Sequence, residues 1–117
     1  MAVARDKLNK ENQIVAVIGD GGFQMTIQEL GTIFQTSSAV KIVILNNEYL
    51  GMVRQWQELI HGSRYSESYT ESLPDFVKLA ESFGIKGIRA EKMSQLQDVI
   101  DQMLEHQGPV LADICVA

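Results

Sequence analysis

Two near-continuous apolar runs, rich in β-branched residues, most constrain the fold of this chain. They are "QIVAVIG" at residues 13–19 and "VKIVILNN" at residues 40–47. A strand that is apolar at nearly every position is typical of a parallel sheet covered on both faces. Parallel strands need a long crossover connection, and residues 20–39 are enough to supply one that contains a helix. The runs therefore predict a βαβ unit whose two strands are neighbours.

The rest of the chain continues this alternation. Two further strands are predicted at "GIKGIRA" (84–90) and "PVLADICV" (109–116). Helical periodicity gives three inward faces: Ile27, Leu30, Gly31 and Phe34; then Phe76, Leu79, Ala80 and Phe83; then Leu96, Val99, Ile100, Met103 and Leu104. The third helix is predicted to begin at a Ser94 cap and to stop at Gly108. The order predicts a doubly wound, three-layer α/β/α fold, with helices on both faces of a mainly parallel sheet.

The length of the chain predicts a single domain. Its 117 residues, 45 % of them hydrophobic, are enough for one ordinary core, so residues 1–117 are treated as one domain. The opening "MAVARDKLNKEN" reads as the last turns of a helix and its exit, with no strand before it. A complete doubly wound domain could begin in this way, and so could a piece of a longer protein. Residues 61–74 are polar and aperiodic, which predicts a long loop.

Charge and cysteine content exclude several classes of partner. The net charge of −5 comes from interleaved acidic and basic residues, so no basic face is expected for nucleic acid or an anionic membrane. Cys115 is the single cysteine, which excludes an internal disulfide, and we expect it to be a small core residue of the last strand. No apolar run has the length of a membrane span, and no signal peptide is recognised. These features predict a soluble intracellular domain.

A glycine-rich motif, Gly19-Asp20-Gly21-Gly22, closes the first predicted strand. Ligands of parallel α/β sheets bind beyond the carboxyl ends of the strands, which is where this motif lies. The motif leads into a helix expected to begin near Gln24 or Met25, whose free amides suit a phosphate. A P-loop is excluded because no Gly-Lys-Ser/Thr follows, and the dinucleotide fingerprint would need a glycine where Gln24 stands.

Asp20 and Asn47 are separated by 27 residues, the length of one βαβ unit. Each then lies at the carboxyl end of its own strand, on neighbouring strands about 5 Å apart. A carboxylate, a carboxamide oxygen and a backbone carbonyl from the loop beyond Asn47 form the hard oxygen set that Mg²⁺ or Ca²⁺ prefers. Because the protein supplies one negative charge, the bound ion would stay positive and attract a diphosphate. The spacing therefore predicts a metal-bridged diphosphate site.

These residues carry a resemblance to a known family. Gly19-Asp20-Gly21, followed by Asn46-Asn47 after 24 intervening residues, resembles the signature of thiamine-diphosphate enzymes. The segments "GDGGFQMTIQEL" (19–30), "NNEYLGMVRQWQELI" (46–60) and "PDFVKLAESFGIKGIR" (74–89) resemble the carboxyl-terminal, cofactor-binding domain of the acetolactate synthase family, over nearly the whole chain.

The resemblance assigns roles to particular residues. The metal ligands would be Asp20, Asn47 and the carbonyl of Tyr49. The residues implied to bind the cofactor, with Gly21, Gly22 and Gly51 against its phosphates, are Gly19, Asp20, Gly21, Gly22, Asn47, Tyr49, Leu50, Gly51 and Met52. Met52, Val53 and Trp56 would line the substrate pocket, although their helical spacing alone favours core residues. No residue of this chain is assigned a catalytic role, and Glu29, His61 and His106 are expected to be solvated.

The resemblance also implies a reaction and partners. The family decarboxylates pyruvate and joins the two-carbon unit to pyruvate or 2-ketobutyrate, in branched-chain amino acid biosynthesis. The implied cofactors are thiamine diphosphate and Mg²⁺, with FAD held by another domain of the parent enzyme. Implied partners are that domain, a pyrimidine-binding domain, a second subunit in a homodimer or tetramer, and a regulatory subunit. We expect a cytoplasmic bacterial or a plastid enzyme, whose isolated domain is inactive and self-associates.

Two alternatives stay open at this stage. Another thiamine-diphosphate enzyme, such as glyoxylate carboligase, an oxidase or a 2-keto acid decarboxylase, would keep the metal site and change the pocket. The stretch Gln55-Trp56-Gln57 is the feature against it. A non-catalytic doubly wound module, such as a phosphorylated receiver, would place a cluster of acids at the strand ends, whereas Asp20 is matched with amides.

Overall fold

The computed structural model describes residues 2–8, 12–70 and 72–116. Its strands are β1 (Val15–Gly19), β2 (Lys41–Asn46), β3 (Lys86–Ala90) and β4 (Val110–Cys115). Its helices are α1 (Ala2–Leu8), α2 (Asp20–Gln24), α3 (Glu29–Gln35), α4 (Gly51–Leu59), α5 (Phe76–Ser82) and α6 (Met93–Glu105). Parts of the predicted opening helix exit (residues 9–11) and of the predicted loop (Glu71) lie outside the described residues.

The strands form one parallel sheet in the order β1-β2-β4-β3. β1 and β2 are neighbours, as predicted, and Gly19 is paired with Leu45 at their carboxyl ends. Asp20 and Asn47 therefore leave the sheet at the same edge. Residues 61–70 and 72–74 form a loop, also as predicted, and its contacts with the rest include an isolated bridge between Tyr49 and Tyr69 and a hydrogen bond from Gln57 Nε2 to Ser66 O.

Each face of the sheet carries its own core, which confirms the predicted three-layer α/β/α arrangement. One core joins α2, α3 and α5 to the sheet through buried residues that include Phe23, Leu30, Ile33, Ile44, Phe76 and Leu111. The other joins α6 to β3 and β4 through Ala90, Val99, Met103, Val110, Ala112 and Ile114. None of the helices in the described ranges is both long and apolar enough to cross a membrane.

The expectation that both apolar runs are covered on both faces is wrong for the first one. Val15 and Val17 of β1 are exposed, Val17 to 63 %, and so is Leu45 of β2. These side chains share one face of the sheet, the face on which α6 packs against β3 and β4. Because β1 is the edge strand of the described sheet, α6 does not reach it.

The first crossover is two helices rather than one. The helix begins at Asp20, not near Gln24 or Met25, because it follows the strand directly, with the extended Gly19 as both the last strand residue and the N-cap. A turn at residues 25–28, with hydrogen bonds from Thr26 N to Phe23 O and from Glu29 N to Thr26 O, separates α2 from α3.

This break shifts the helical phase of α3. Its buried residues are Leu30 and Ile33, whereas Phe34, which was predicted to face inward, is 59 % exposed. The Phe34 ring lies beside Gly84, where a Cβ would come within 2.6 Å of the ring.

Three expectations near the carboxyl terminus are wrong. α6 begins at Met93, so Ser94 lies inside the helix; the Gln95 side chain instead accepts hydrogen bonds from the Glu91 and Lys92 amides. Leu104, predicted to face inward, is exposed, and so is Cys115, the last residue of β4.

α6 ends at Glu105, so the stop predicted at Gly108 is too late. The Lys41 ammonium donates to the carbonyl oxygens of His106 and Gly108, at 2.5 Å each, in the segment that follows the helix. Burial lowers the pKa of Lys41 below its usual value. A cation at a helix carboxyl terminus is favourable because it binds carbonyls that have no partner within the helix.

Candidate functional site

A cleft of about 510 Å³ lies at the carboxyl ends of β1 and β2. Its walls are formed by Gly19, Asp20, Gly21, Gly22, Met25, Leu45, Asn47, Tyr49, Leu50, Gly51, Met52 and Val53. The cleft thus brings together all the residues that the resemblance implied for cofactor binding. Met25 and Leu45 were not predicted, although Leu45 could have been found from its position opposite Gly19 in the strand register.

Asp20 is a buried carboxylate, only 2 % exposed, at the start of α2. Its Oδ1 accepts a hydrogen bond from the Gly21 amide at 2.6 Å, and its Oδ2 accepts one from the Glu48 amide at 2.7 Å. A buried carboxylate is expensive unless it is hydrogen-bonded or bound to a metal. Each carboxylate oxygen has two acceptor positions, so both can still bind a cation.

Asn47 is held by the same turn. Its Oδ1 accepts a hydrogen bond from the Tyr49 amide at 3.1 Å. Between them Glu48 takes the left-handed backbone conformation, with φ of 59°. Successive amides of one turn, those of Glu48 and Tyr49, therefore bind the side chains of Asp20 and Asn47. This arrangement directs both predicted ligand side chains to the same place.

A short pairing between residues 48–50 and 68–70 fixes the orientation of Tyr49. Leu50 N donates to Ser68 O at 2.8 Å, and Thr70 N donates to Glu48 O at 2.9 Å. In this antiparallel geometry the central residue directs its own N–H and C=O away from the paired strand. The Tyr49 carbonyl therefore lies on the side of the Asn47 side chain, where the Tyr49 amide is bound.

The Tyr49 ring is also fixed from outside the turn. The Arg54 guanidinium lies 4.4 Å from the centre of this ring, and the Tyr69 ring lies 5.0 Å from it. Such cation–π and ring contacts each contribute modestly at exposed positions. Together with the pairing to residues 68–70 they hold the turn in one conformation.

The glycines of the cleft differ in the space that a side chain would find at each position. A Cβ on Gly21 would lie 2.5 Å from Leu50 Cδ2, so a larger residue there would require the Leu50 side chain to move. A Cβ on Gly19 would meet no atom within 4 Å, and one on Gly51 would meet only the Asn47 amide, at 3.9 Å. Gly19 and Gly51 thus leave open space on the two sides of the ligand side chains, and a bound group could occupy it.

The donor set fits a hard divalent cation. It combines one carboxylate, one carboxamide oxygen and one backbone carbonyl, which Mg²⁺ and Ca²⁺ bind in preference to softer metals. The single carboxylate leaves a bound divalent ion with a net positive charge toward an anionic group. Within the described part of the chain, no three or more His, Cys, Asp or Glu side chains are grouped to hold a metal ion.

A second, apolar groove of about 430 Å³ adjoins the cleft along α4. Met52, Val53 and Trp56 line it together with Gln57 and His61. The helical spacing therefore brings the three predicted pocket residues together. They are exposed side chains, Trp56 to 57 %, so the alternative that they belong to the core is wrong for this structure.

The residues for which no role was expected lie outside the cleft. Glu29 is exposed on α3, and His61 is exposed at the rim of the groove. His106 follows α6 at the opposite end of the sheet, where burial and the charges of Lys86 and Lys41 lower its pKa. None of these positions allows contact with the Asp20 carboxylate.

Known proteins resemble this chain both in sequence and in fold. The family model described as "Thiamine pyrophosphate enzyme, C-terminal TPP binding domain" matches residues 1–114. The acetolactate synthase large subunit of Pyropia yezoensis is 44 % identical over 113 residues, which cover 96 % of this chain and 19 % of that protein. The isozyme 3 large subunit of Escherichia coli K12 is 50 % identical over 95 residues, covering 81 % of this chain and 17 % of that protein.

The chain therefore spans about a fifth of the length of these relatives. Among solved structures, the thiamine diphosphate-dependent 4-hydroxybenzoylformate decarboxylase of Rhodococcus jostii RHA1 superposes with a TM-score of 0.86 at 26 % identity. That match covers 96 % of this chain and 21 % of the decarboxylase.

Proposed function

The chain belongs to the family of carboxyl-terminal TPP-binding domains of thiamine pyrophosphate enzymes, and from this premise we propose that it holds the cofactor diphosphate through Mg²⁺. The proposed metal ligands are the Asp20 carboxylate, the Asn47 side-chain oxygen and the Tyr49 carbonyl. The diphosphate would lie against Gly21, Gly22 and Gly51.

One observation carries this proposal: Asp20 and Asn47 are bound by successive amides of a single turn. That geometry supports a common cation for both side chains, and the orientation of the Tyr49 carbonyl supports it as the third ligand. When bound, thiamine diphosphate supplies the carbon centre at which 2-keto acids are decarboxylated. The residues of this chain bind and orient the diphosphate end, while Leu50 and Met52 shape the apolar wall of the cleft.

The parent activity that we propose is acetolactate synthesis. It is the decarboxylation of pyruvate and its condensation with a second pyruvate or with 2-ketobutyrate, in branched-chain amino acid biosynthesis. Identities of 40–50 % to acetolactate synthase subunits from red algae, bacteria and yeast favour this activity. The decarboxylase at 26 % identity has a similar fold, which gives less support to a 2-keto acid decarboxylase.

Met52, Val53 and Trp56 are proposed to contact the 2-keto acid. They are exposed side by side where the α4 groove meets the cleft, and Met52 and Val53 line both. An apolar wall next to a polar diphosphate site is suited to the short alkyl group of a 2-keto acid.

The remaining parts of the proposed enzyme lie outside this chain. No side chain here is assigned the proton abstraction that activates the cofactor, so a pyrimidine-binding domain would supply it, and another domain would hold FAD. The exposed apolar residues Trp56 and Leu59 of α4, with Ile60 directly after it, support a second subunit over this helix in a homodimer or tetramer. A regulatory subunit stays part of the proposal.

The test is calorimetric titration of thiamine diphosphate into the chain, with and without Mg²⁺. We expect binding that requires Mg²⁺, that is lost in Asp20→Ala, and that is retained in Asp98→Ala, which removes an exposed acid of α6. Equal binding by Asp20→Ala and the unmodified chain would overturn the ligand assignment. Absence of binding to the unmodified chain would overturn the proposal that the diphosphate site is formed within this domain.

A further inference from the structure

A second buried carboxylate lies next to the cleft without lining it. Asp113 of β4 is 1 % exposed. Its Oδ2 accepts a hydrogen bond from Arg89 Nε at 2.9 Å, and its Oδ1 accepts one from Asn46 Nδ2 at 3.2 Å. Asn46 immediately precedes the proposed ligand Asn47, so its hydrogen bond to Asp113 connects β4 to the segment that bears the proposed cation site.

The Asn46 carboxamide bridges Asp113 and the ligand-bearing turn. While its Nδ2 donates to Asp113, its Oδ1 accepts a hydrogen bond from the Glu48 amide at 3.3 Å. An ionised carboxylate only accepts hydrogen bonds, so it forces the NH₂ end of the carboxamide toward itself and the oxygen end toward Glu48. Asp113 thereby sets the polarity of the Asn46 amide.

The charge of Asp113 is neutralised by Arg89, which does not line the cleft. Arg89 bridges Asp113 and Asp75, with Nη2 lying 2.8 Å from Asp75 Oδ1. Asp75 in turn caps α5, where it accepts hydrogen bonds from the Val77 and Lys78 amides. Because the guanidinium pairs with Asp113, this carboxylate does not compete with Asp20 for a cation.

The Glu48 amide is therefore held by two carboxylates, by Asp20 directly and by Asp113 through the Asn46 side chain. It donates to Asp20 directly and to Asn46 at the same time, while Glu48 holds a left-handed backbone conformation. Such a conformation is unfavourable for a residue with a side chain, and it persists only where its surroundings fix it.

We infer that Asp113 is a positioning residue for the cation site. Through the Asn46 carboxamide it fixes the Glu48 amide, and with it the turn that presents Asn47 and the Tyr49 carbonyl. Asp113 touches neither the cation nor the cofactor. The inference rests on the proposed function for what the turn binds, but the action of Asp113 on the turn is independent of any ligand.

The first experiment uses the ligand-free chain and therefore does not depend on the proposed function. Amide hydrogen exchange at Glu48 and Tyr49 is measured by NMR for the unmodified chain and for Asp113→Asn. Loss of a charge-assisted contact is expected to speed exchange at these amides by about tenfold. Asp75→Asn is the matched control, because it alters the other partner of Arg89 and leaves the contact between Asn46 and Asp113 in place.

The second experiment measures the Mg²⁺ dependence of thiamine diphosphate binding. Outer partners of metal ligands typically contribute 10–100-fold to metal affinity, so Asp113→Asn is expected to weaken the apparent Mg²⁺ affinity by about that factor. Asn46→Ala should give a similar loss, and the double variant no more than the larger single loss. Asp75→Asn should retain the affinity even where it lowers the melting temperature.

The outcomes separate the two proposals. Unchanged Glu48 exchange in Asp113→Asn, or an equal change in Asp75→Asn, overturns the inference while the proposed function stands. Faster Glu48 exchange in Asp113→Asn, with no Mg²⁺-dependent binding by the unmodified chain, overturns the proposed function and the positioning role for a cation. Where Asp113→Asn fails to fold, Asn46→Ala carries both measurements, since Asn46 is only half-buried at the end of its strand.

Discussion

Asp20 Oδ2 accepts the Glu48 amide hydrogen bond at 2.7 Å, which joins the end of β1 to the turn that follows β2. The two residues are 28 positions apart in the sequence. Because β1 and β2 are parallel neighbours, this contact joins the two segments that leave their carboxyl ends and line the cleft.

Replacing Asp20 with asparagine tests this contact without a large change of shape. The amide has one acceptor oxygen where the carboxylate has two, so Asp20→Asn leaves the Gly21 or the Glu48 amide without its partner. We expect a loss of about 1–3 kcal/mol in the free energy of unfolding, measured in urea, together with loss of Mg²⁺-dependent binding. Glu29→Gln, an exposed acid on α3, should change neither quantity. An unaltered unfolding midpoint in Asp20→Asn would contradict the prediction.

Two glycines outside the site should respond oppositely to alanine. A Cβ on Gly87 would lie 2.7 Å from the Val77 carbonyl oxygen and 2.9 Å from Val77 Cα, both backbone atoms of α5. A Cβ on Gly31 would meet Phe83 at an ordinary 3.8 Å, within a helix. We expect Gly87→Ala to destabilise by about 1–3 kcal/mol and Gly31→Ala to stabilise by up to about 1 kcal/mol. The measurement is the thermal unfolding of both variants and of the unmodified chain. A higher melting temperature in Gly87→Ala would contradict the close packing between β3 and α5.

Alanine substitutions of one buried and one exposed aromatic residue should differ in their effect on stability. Phe76 is fully buried and its ring contacts Phe23 edge to face at 5.6 Å, whereas Trp56 is exposed. Phe76→Ala should cost about 3–5 kcal/mol, while Trp56→Ala should cost less than about 1 kcal/mol. Urea unfolding followed by circular dichroism measures both. A larger loss in Trp56→Ala than in Phe76→Ala would show that α4 packs into the core.

The stability of the chain should depend on the charge of Asp75 in acid. Hydrogen bonds from the Lys78 backbone amide, and then the Arg89 guanidinium, lower the pKa of Asp75 below its ordinary 3.8. A lowered folded-state pKa means that stabilisation is complete above the unfolded-state pKa and is lost as pH falls through the folded-state value. Asp75→Asn can still cap α5 but has no charge to lose.

The measurement is urea unfolding of both proteins between about pH 7 and pH 3. The unmodified chain should be more stable than Asp75→Asn at neutral pH, and this difference should shrink below about pH 4. Asp98→Asn, an exposed acid of α6, serves as the charge-matched control. A difference that stays constant across this range would show that the Asp75 charge does not stabilise the fold.

Much of the fold could be predicted because its signals are local. The apolar runs before Asp20 and Asn47 predicted adjacent parallel strands, and the 27-residue spacing placed both residues at one edge of the sheet. Helix phase was less predictable, as at Phe34, because the turn at residues 25–28 interrupts the period without a proline or a glycine to mark it. Ser94 was the wrong cap because the helix begins before it, at Met93, where the Gln95 side chain binds the preceding Glu91 and Lys92 amides.

Hydrophobic periodicity and the spacing of the strands thus indicated the fold class, the strand positions and the meeting of Asp20 with Asn47, whereas the family resemblance implied the other residues of the cleft. The order β1-β2-β4-β3 comes from the packing of the folded chain, and so does the contact between Asn46 and Asp113, which are 67 residues apart. The physical reason is that a burial pattern depends on near neighbours along the chain. Hydrogen bonds between polar side chains of distant segments depend on which strands pair and in which register, and no short stretch of sequence encodes that.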